Sequence, residues 1–212
     1  MNMRNILNYL VKSLLAGVMI ATGGTVFLSC DNKVIGASLF SIGLFVIVVR
    51  SLNLYTGKVG YIFDNKPSYL IEVLVTIVGN FIGTFAVGNL LHLTRVGEKL
   101  SEKAAALCQT KLDDSVLSIF LLSVCCGMLM YLAVNGYRDY KHEIAKYISV
   151  YICVVVFILC GFEHSIANMY YFSVASMWSV KSFGYMGIMI LGNAVGGVIF
   201  PLCKKLVKEK AE

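Results

Sequence analysis

One long apolar segment, residues 144–180, is interrupted near its middle by ionisable and small polar residues. The interrupting stretch, residues 161–169, reads GFEHSIANM. An ionisable side chain at bilayer depth is costly, so it usually faces a cavity or a pathway. A broken helix at that depth also needs protein or water to satisfy its freed backbone groups. The segment therefore predicts a transmembrane helix that is split in the middle, with His164 at the break.

Composition agrees with a membrane protein. Only 14% of the 212 residues are charged and 58% are hydrophobic, whereas a soluble domain carries about 25% charged residues. A helix needs about 20 apolar residues to cross a bilayer, and several runs approach that length. We expect one transmembrane domain over residues 1–212, with no cleaved signal segment, in the cell (inner or plasma) membrane.

Six spans are predicted, and the second and fifth are broken. Span one covers residues 9–29, span two covers 34–63 with a break at 50–53, and span three covers 69–93. A polar connector with a surface helix follows at 94–111. Span four covers 114–135, span five covers 144–180, and span six covers 183–202.

A short internal repeat divides these spans into two halves, at about residues 9–93 and 114–203. GNFIG at 79–83 matches GNAVG at 192–196, an offset of 113 residues that also pairs Leu44 with Phe157. Three spans per half is an odd number, so the halves would have opposite orientations. Inverted repeats with broken helices place the transport site near the midplane. The predicted fold is all-α, with two inverted three-helix repeats in an aquaporin-like arrangement.

The distribution of Lys and Arg predicts the orientation of the chain. With the N-terminus in the cytoplasm, eleven positive residues lie inside and six lie outside, if Arg50 within span two is left out. Arg4, Lys208 and Lys210 belong to the eleven. This excess favours cytoplasmic N- and C-termini. The net charge of +6 is explained as topology, and no nucleic-acid partner is expected.

The stretch at 161–169 resembles the signature of the formate/nitrite transporter family of pentameric anion channels, which also includes hydrosulfide channels. FSIGL at 40–44 followed by LYTG at 54–57 resembles the family's span-two pattern, and KSLLAG at 12–17 its first helix. The resemblance covers about residues 12–202. It implies a homopentamer, with one pore per protomer, for small monovalent anions such as formate, nitrite or hydrosulfide.

The resemblance also implies where the path is narrow. Phe40 and Leu44, four residues apart on one helix face, match the family's cytoplasmic constriction. Phe157, seven residues before His164, matches the other constricting phenylalanine. Lys12 matches a lysine of the first helix that draws anions toward the pore.

Thr56 and His164 mark the two breaks on the expected path. Thr56 matches a threonine on the mobile loop of span two, and His164 matches the central histidine. His164 could hydrogen-bond a dehydrated anion or supply it with a proton, because the imidazole pKa lies near neutrality. Glu163 is expected to turn away and to bind the break to a neighbouring helix.

Three positions depart from the family pattern. Asn53 stands where an acidic residue is common, Gly127 where a pore asparagine is common, and Arg50 beside the loop is unusual. These departures leave the choice of anion and the gating open.

Two other classes of membrane protein fit the sequence less well. An aquaporin-like channel for neutral small solutes needs two Asn-Pro-Ala loops, but Pro67 follows Lys66 and Pro201 follows Phe200. A metalloenzyme needs clustered ligands, whereas the three histidines lie in separate segments and the seven cysteines lack metal spacing. We therefore expect a transport protein, not an enzyme, with no cofactor.

Overall fold

The structure, a computed structural model, describes residues 3–207, with side chains from residue 6 onward. Arg4, Lys208 and Lys210, which contribute to the charge count, have side chains outside the described residues. Within that range the chain is all helical, as predicted. The helices are α1 (Met3–Ser29), α2 (Lys33–Val49), α3 (Tyr55–Lys58), a 3-10 helix (Val59–Asp64), α4 (Tyr69–Leu91), α5 (Gly97–Asp113), α6 (Val116–Asp139), α7 (Glu143–Leu159), α8 (Ser165–Val174) and α9 (Val180–Leu206).

Four helices of the described part are long and apolar enough to cross a membrane by length and composition: Ile6–Ser29 of α1, and α4, α6 and α9. They occupy predicted spans one, three, four and six. α2 is a shorter apolar helix of 17 residues. α5 is the helix expected in the polar connector, and one face of it packs against the core through Leu100, Ala104 and Cys108.

Both predicted breaks are present, and they share one backbone geometry. α2 ends at Val49, after which Ser51 has a φ of 50° and the Leu52 N–H donates to the Ile47 carbonyl. α7 ends at Leu159, and there Gly161 has a φ of 70°. A left-handed residue with a bond back across the last turn is a common way to end a helix and redirect the chain. After each turn the chain is extended for a few residues before α3 or α8 begins.

Asn80, in the middle of α4, satisfies the backbone at the first break. Its side-chain Oδ1 accepts a hydrogen bond from the Tyr55 N–H at 2.9 Å. Its Nδ2 donates to the Asn53 carbonyl at 2.8 Å and to the Ser13 carbonyl of α1 at 2.6 Å. One buried side chain thus supplies a partner to both sides of the break and joins it to α1.

Asn193 of α9 makes the same three bonds at the second break. Its Oδ1 accepts from the Ser165 N–H at 2.9 Å, and its Nδ2 donates to the Glu163 and Ser123 carbonyls, each at 2.8 Å. Buried backbone groups of this kind would otherwise have no partner at bilayer depth. The two asparagines therefore hold the start of each half-helix in place.

The matching contacts correct the register of the internal repeat. Glu163 lies 110 residues after Asn53, whereas the two asparagines of α4 and α9 lie 113 apart. Pairing Leu44 with Phe157 at an offset of 113 is therefore wrong, because the counterpart of Phe157 at 110 is Ile47. From the break to the asparagine of the last helix, the chain is three residues longer in the second half, 163–193 against 53–80.

Glycine allows close helix packing beside each asparagine. A Cβ on Gly17 would overlap the Asn80 carbonyl, and a Cβ on Gly127 would overlap the Asn193 carbonyl. Gly127, identified above as a departure from the family pattern, thus lets α6 approach α9 closely.

Asn193→Ala should lower the midpoint of thermal unfolding, because three backbone groups of the second break and α6 lose their partner. Each buried group left unsatisfied costs about 1–3 kcal/mol. Asn89→Ala is the matched control, since Asn89 is exposed on α4 and bonds only its own helix. Both variants are measured in detergent by differential scanning fluorimetry, and equal midpoints would contradict this role of Asn193.

Candidate functional site

His164 and Thr56 meet at the point where the two half-helices begin. The His164 Nδ1 accepts a hydrogen bond from the Ala167 N–H at 3.0 Å and so caps α8. The His164 Nε2 lies 2.9 Å from the Thr56 Oγ1. Because Nδ1 is an acceptor, the proton of the neutral ring sits on Nε2 and donates to Thr56. Protonation of Nδ1 would remove the acceptor that caps α8.

One aromatic side chain covers a face of the His164 ring, and a second packs against the first. Phe157 stacks on it, with the ring centroids 5.5 Å apart and an interplanar angle of 24°. Phe40 then meets Phe157 edge to face at 5.9 Å. The chain turns back after Gly161, so the two stacked rings do not share a continuous helix. Phe40 of α2 thus contacts Phe157 of α7, and the constriction of Phe40 with Leu44 stays a prediction.

Two cavities lie on opposite sides of this centre. The Lys58 cavity has a volume of about 280 Å³ and is lined by the end of α2, the first break, α3 and the end of α6. The Lys111 cavity has a volume of about 110 Å³ and is lined by residues that include Lys33, Lys111, Phe157 and His164.

Helix α2 shows that the two cavities open at different ends of the bundle. Lys33, its first residue, lines the Lys111 cavity, whereas Ile47 and Val48, near its end, line the Lys58 cavity. A helix of 17 residues is about 25 Å long.

Gly57, next to Thr56, lines the Lys58 cavity, and His164 lines the other. The contact between Thr56 and His164 therefore lies between the cavities.

Glu163 forms a buried ion pair that the sequence did not reveal. Its carboxylate oxygens lie 2.8 Å and 2.7 Å from the Lys111 Nζ at the end of α5, and the two side chains are only 5% and 15% exposed. The Asn168 Nδ2 also donates to this carboxylate, at 2.7 Å. The expectation that Glu163 binds the break to a neighbouring helix is confirmed. Lys111 was missed because, in sequence, it belongs to a polar connector.

The remaining candidate residues differ in how deeply they are buried and in whether they line a cavity. Thr56, Phe40, Leu44 and Phe157 are all at most 4% exposed. Lys12 is half-buried and lines neither cavity, and its backbone carbonyl accepts from the Asn53 N–H at 3.3 Å. Leu54, which was not singled out, is 2% exposed and lines the Lys58 cavity two residues before Thr56. Its place as the first residue of the LYTG motif was the available signal.

Comparisons with known proteins bear on the family and the fold. The family model described as formate/nitrite transporter matches residues 1–206. An "Uncharacterized transporter YrhG" of Bacillus subtilis (strain 168) is 28% identical over 184 residues, covering 80% of this chain and 69% of that protein. A "Probable formate transporter" of Methanothermobacter thermautotrophicus is 28% identical over 235 aligned positions, covering 92% and 86%. The solved structure "Pentameric formate channel with formate bound" has a TM-score of 0.80 at 22% identity, covering 97% of this chain and 98% of that one.

Lys111→Met should destabilise the protein strongly, because it leaves the Glu163 carboxylate buried without its cation. Removing one partner of a buried pair costs about 3–5 kcal/mol. Lys103→Met is the control, since Lys103 pairs with Asp31, whose side chain is 86% exposed, and exposed pairs contribute about 1 kcal/mol or less. Thermal unfolding in detergent measures both.

The double variant Lys111→Met, Glu163→Gln should recover part of the stability that Lys111→Met loses, because no unpaired charge is then buried. If Lys111→Met and Lys103→Met lowered the midpoint of thermal unfolding equally, the buried pair of Glu163 would stabilise the protein no more than an exposed pair does.

Proposed function

The chain belongs to the formate/nitrite transporter family, whose model matches residues 1–206, and we propose that it conducts small monovalent anions such as formate, nitrite or hydrosulfide. It is a membrane transport protein and not an enzyme, as the family's members are transporters and channels. The observation that carries the proposal is the contact between Thr56 and His164, at 2.9 Å, between two cavities at opposite ends of the bundle.

We propose a path that runs from the Lys58 cavity past Leu54 and Thr56 to His164, and then past Phe157 into the Lys111 cavity. The six spans on either side of it form two inverted repeats. The matching bonds of Asn80 and Asn193 support this assignment, since each holds a half-helix that begins next to the path. The N-terminus of α8 adds partial positive charge at the centre. Its Ser165 and Ala167 N–H groups already have side-chain acceptors, so an anion would meet the His164 and Thr56 side chains first.

The apolar side chains next to the centre favour passage with a proton. A bare anion loses hydration beside the Phe40 and Phe157 rings, and burying an unpaired charge is far more costly than burying a neutral group. The undissociated acid would pass at lower cost. We propose that formate moves together with a proton, which it takes up in the cavity water.

Of the two roles left open for His164, the geometry favours hydrogen bonding over proton supply. A proton relay through the ring needs a free Nδ1 to take up the replacement proton. In the structure Nδ1 accepts from the Ala167 N–H. His164 would then act as a neutral donor to Thr56, which leaves the Thr56 hydroxyl hydrogen to bind the permeating acid.

We further propose a homopentamer in the cell membrane with both termini in the cytoplasm. The structural neighbour is printed as a pentameric formate channel, and the excess of Lys and Arg supports the orientation. Native mass spectrometry from nanodiscs would test the assembly. Proteolysis of the C-terminal end in sealed vesicles of known orientation would test the topology.

Formate flux in liposomes should rise as the pH falls from 8 to 5, because the protonated fraction of a carboxylic acid grows about tenfold per pH unit above its pKa. His164→Asn should lower the rate about tenfold or more, and the slope with pH should stay the same. Nitrite, hydrosulfide and uncharged glycerol, measured alongside, define the selectivity.

Three results would count against these assignments. A flat pH profile in His164→Asn would show that His164 itself supplies the proton. Flux of formate without proton movement would contradict the coupled passage. Uptake of glycerol but of none of the anions would favour an aquaporin-like channel.

Phe40→Ala should raise the flux and admit larger acids such as lactate, because it removes one of two rings that narrow the path. Phe45→Ala is the matched control on the same helix: Phe45 is 39% exposed, whereas Phe40 is 1% exposed. Both variants are compared with wild type in liposomes at equal reconstituted amounts. Unchanged rates and selectivity in Phe40→Ala would show that the ring is an ordinary packing group.

A further inference from the structure

The two half-helices that meet at the centre are secured to different extents. α8 is a regular α-helix whose ten residues are all buried. Its counterpart has one turn of α-helix, α3, followed by the 3-10 helix Val59–Asp64, of which only the first two residues are buried. The hydrogen bonds of a 3-10 helix have poorer geometry than those of an α-helix. The half-helix that carries Thr56 therefore depends more on contacts with other elements.

One helix, α9, supports this half-helix along its length. Next to the break, the Tyr55 hydroxyl donates to the Ile190 carbonyl at 2.7 Å. Further along, Gly60 packs directly on the backbone of α9, because a Cβ on Gly60 would lie 2.7 Å from the Gly197 carbonyl oxygen. The half-helix thus lies against α9 at its start and in its middle.

Lys205, in the last turn of α9, holds the other end. Its Nζ donates to the Phe63 carbonyl at 2.9 Å and lies 2.7 Å from the Asp64 Oδ1. We call this pair of contacts the Lys205 clasp. The Lys205 and Asp64 side chains are 49% and 39% exposed, so water and dissolved ions compete with the clasp. It can therefore open while the rest of the protein stays folded.

Pro201 separates the clasp from the rest of α9. Proline has no backbone N–H, so α9 lacks the hydrogen bond that residue 201 would otherwise donate to the Gly197 carbonyl. A cavity of about 370 Å³ lies beside this turn, between α6, the 3-10 helix and the end of α9. The missing bond and the adjacent space allow the last turn of α9 and the 3-10 helix to move apart.

The half-helix also borders the proposed path. Gly57 and Val134 of α6 both line the Lys58 cavity, and a Cβ on Gly57 would lie 3.1 Å from the Val134 Cγ2. Thr56, one residue earlier, meets His164 at 2.9 Å. A shift of this half-helix therefore changes both the width of the path beside α6 and the contact at the centre.

We propose that Lys205 is a positioning residue, which acts through Asp64 and the Phe63 carbonyl to hold the half-helix in place, with Thr56 against His164. When the clasp opens, the 3-10 helix loosens from Asp64 toward Thr56, and the path beside α6 widens. This rests on the proposed function, because the position of Thr56 affects transport only if the path passes it.

Hydrogen–deuterium exchange of the full chain in nanodiscs tests the clasp without requiring transport. The measured quantity is the exchange rate of the peptide that contains residues 55–64. Lys205→Met and Asp64→Asn should each raise this rate about threefold to fivefold, the range expected for the loss of one exposed ion pair. Lys146→Met is the matched control and should leave the rate unchanged, since Lys146 pairs with Glu143 within α7.

Two further measurements separate the clasp from a general loss of stability. The charge swap Asp64→Lys, Lys205→Asp should bring the rate back to within about twofold of wild type, because the ion pair is restored. Raising the ionic strength from about 0.05 M to about 0.5 M should speed exchange in wild type but not in Asp64→Asn, since salt screens an exposed pair. The peptide that contains α8 should exchange at the wild-type rate throughout.

Equal rates for residues 55–64 in wild type, Lys205→Met and Asp64→Asn would overturn the proposal, as would equal acceleration in α8. Liposome flux is measured independently, and Lys205→Met should raise the ratio of lactate flux to formate flux by about threefold, in proportion to the open fraction. If the exchange pattern appears but wild type carries no formate, the proposed function fails and the clasp stands. Formate flux in wild type without the exchange pattern would remove the clasp and leave the proposed function.

Discussion

The structure depends on how two interrupted helices satisfy their backbone at bilayer depth. Each break frees N–H and C=O groups in a place where water is scarce, and an unsatisfied group there costs several kcal/mol. Asn80 and Asn193 each resolve this with three hydrogen bonds, to the N–H after the break, to the carbonyl before it and to a neighbouring helix. Because the same bonds recur in both halves, the two half-helices begin at equivalent places.

The chemistry of the centre follows from this arrangement. With α8 held by Asn193, His164 caps the helix through Nδ1 and turns Nε2 toward Thr56. Glu163, one residue earlier, points the other way and pairs with Lys111. The break thus directs its two ionisable side chains to different places. The neutral His164 ring lies on the proposed path, whereas the Glu163 carboxylate is buried away from the path and paired with Lys111. The charge of Lys58 and Arg138 at the other end has no such partner among the described residues.

Much of the fold and part of the candidate site could be predicted from the sequence, because the signals for them lie in contiguous residues. The spans follow from runs of apolar residues, and the break at 161–169 follows from Glu163 and His164 within such a run. The family resemblance identified Thr56, Phe40 and Phe157, although their roles on the path remain proposals. The edge-to-face contact of Phe40 with Phe157 depends on how α2 crosses α7, which the sequence does not specify. The repeat register was also misjudged, because the chain from the break to the asparagine of the last helix is three residues longer in the second half, and a single offset hides that difference.

The sequence by itself determined that this is a helical membrane protein of the formate/nitrite transporter family, since apolar length, an intramembrane break and short motifs are properties of contiguous residues. Tertiary structure alone decided which side chains meet. Lys111 and Glu163 are 52 residues apart, and Thr56 and His164 are 108 apart. No periodicity links such pairs, because their contact is set by the packing of helices that are far apart in the chain. The same packing decides which charges are paired: Lys111 meets a carboxylate that folding brings to it, whereas Lys58 and Arg138 lie against tyrosine rings.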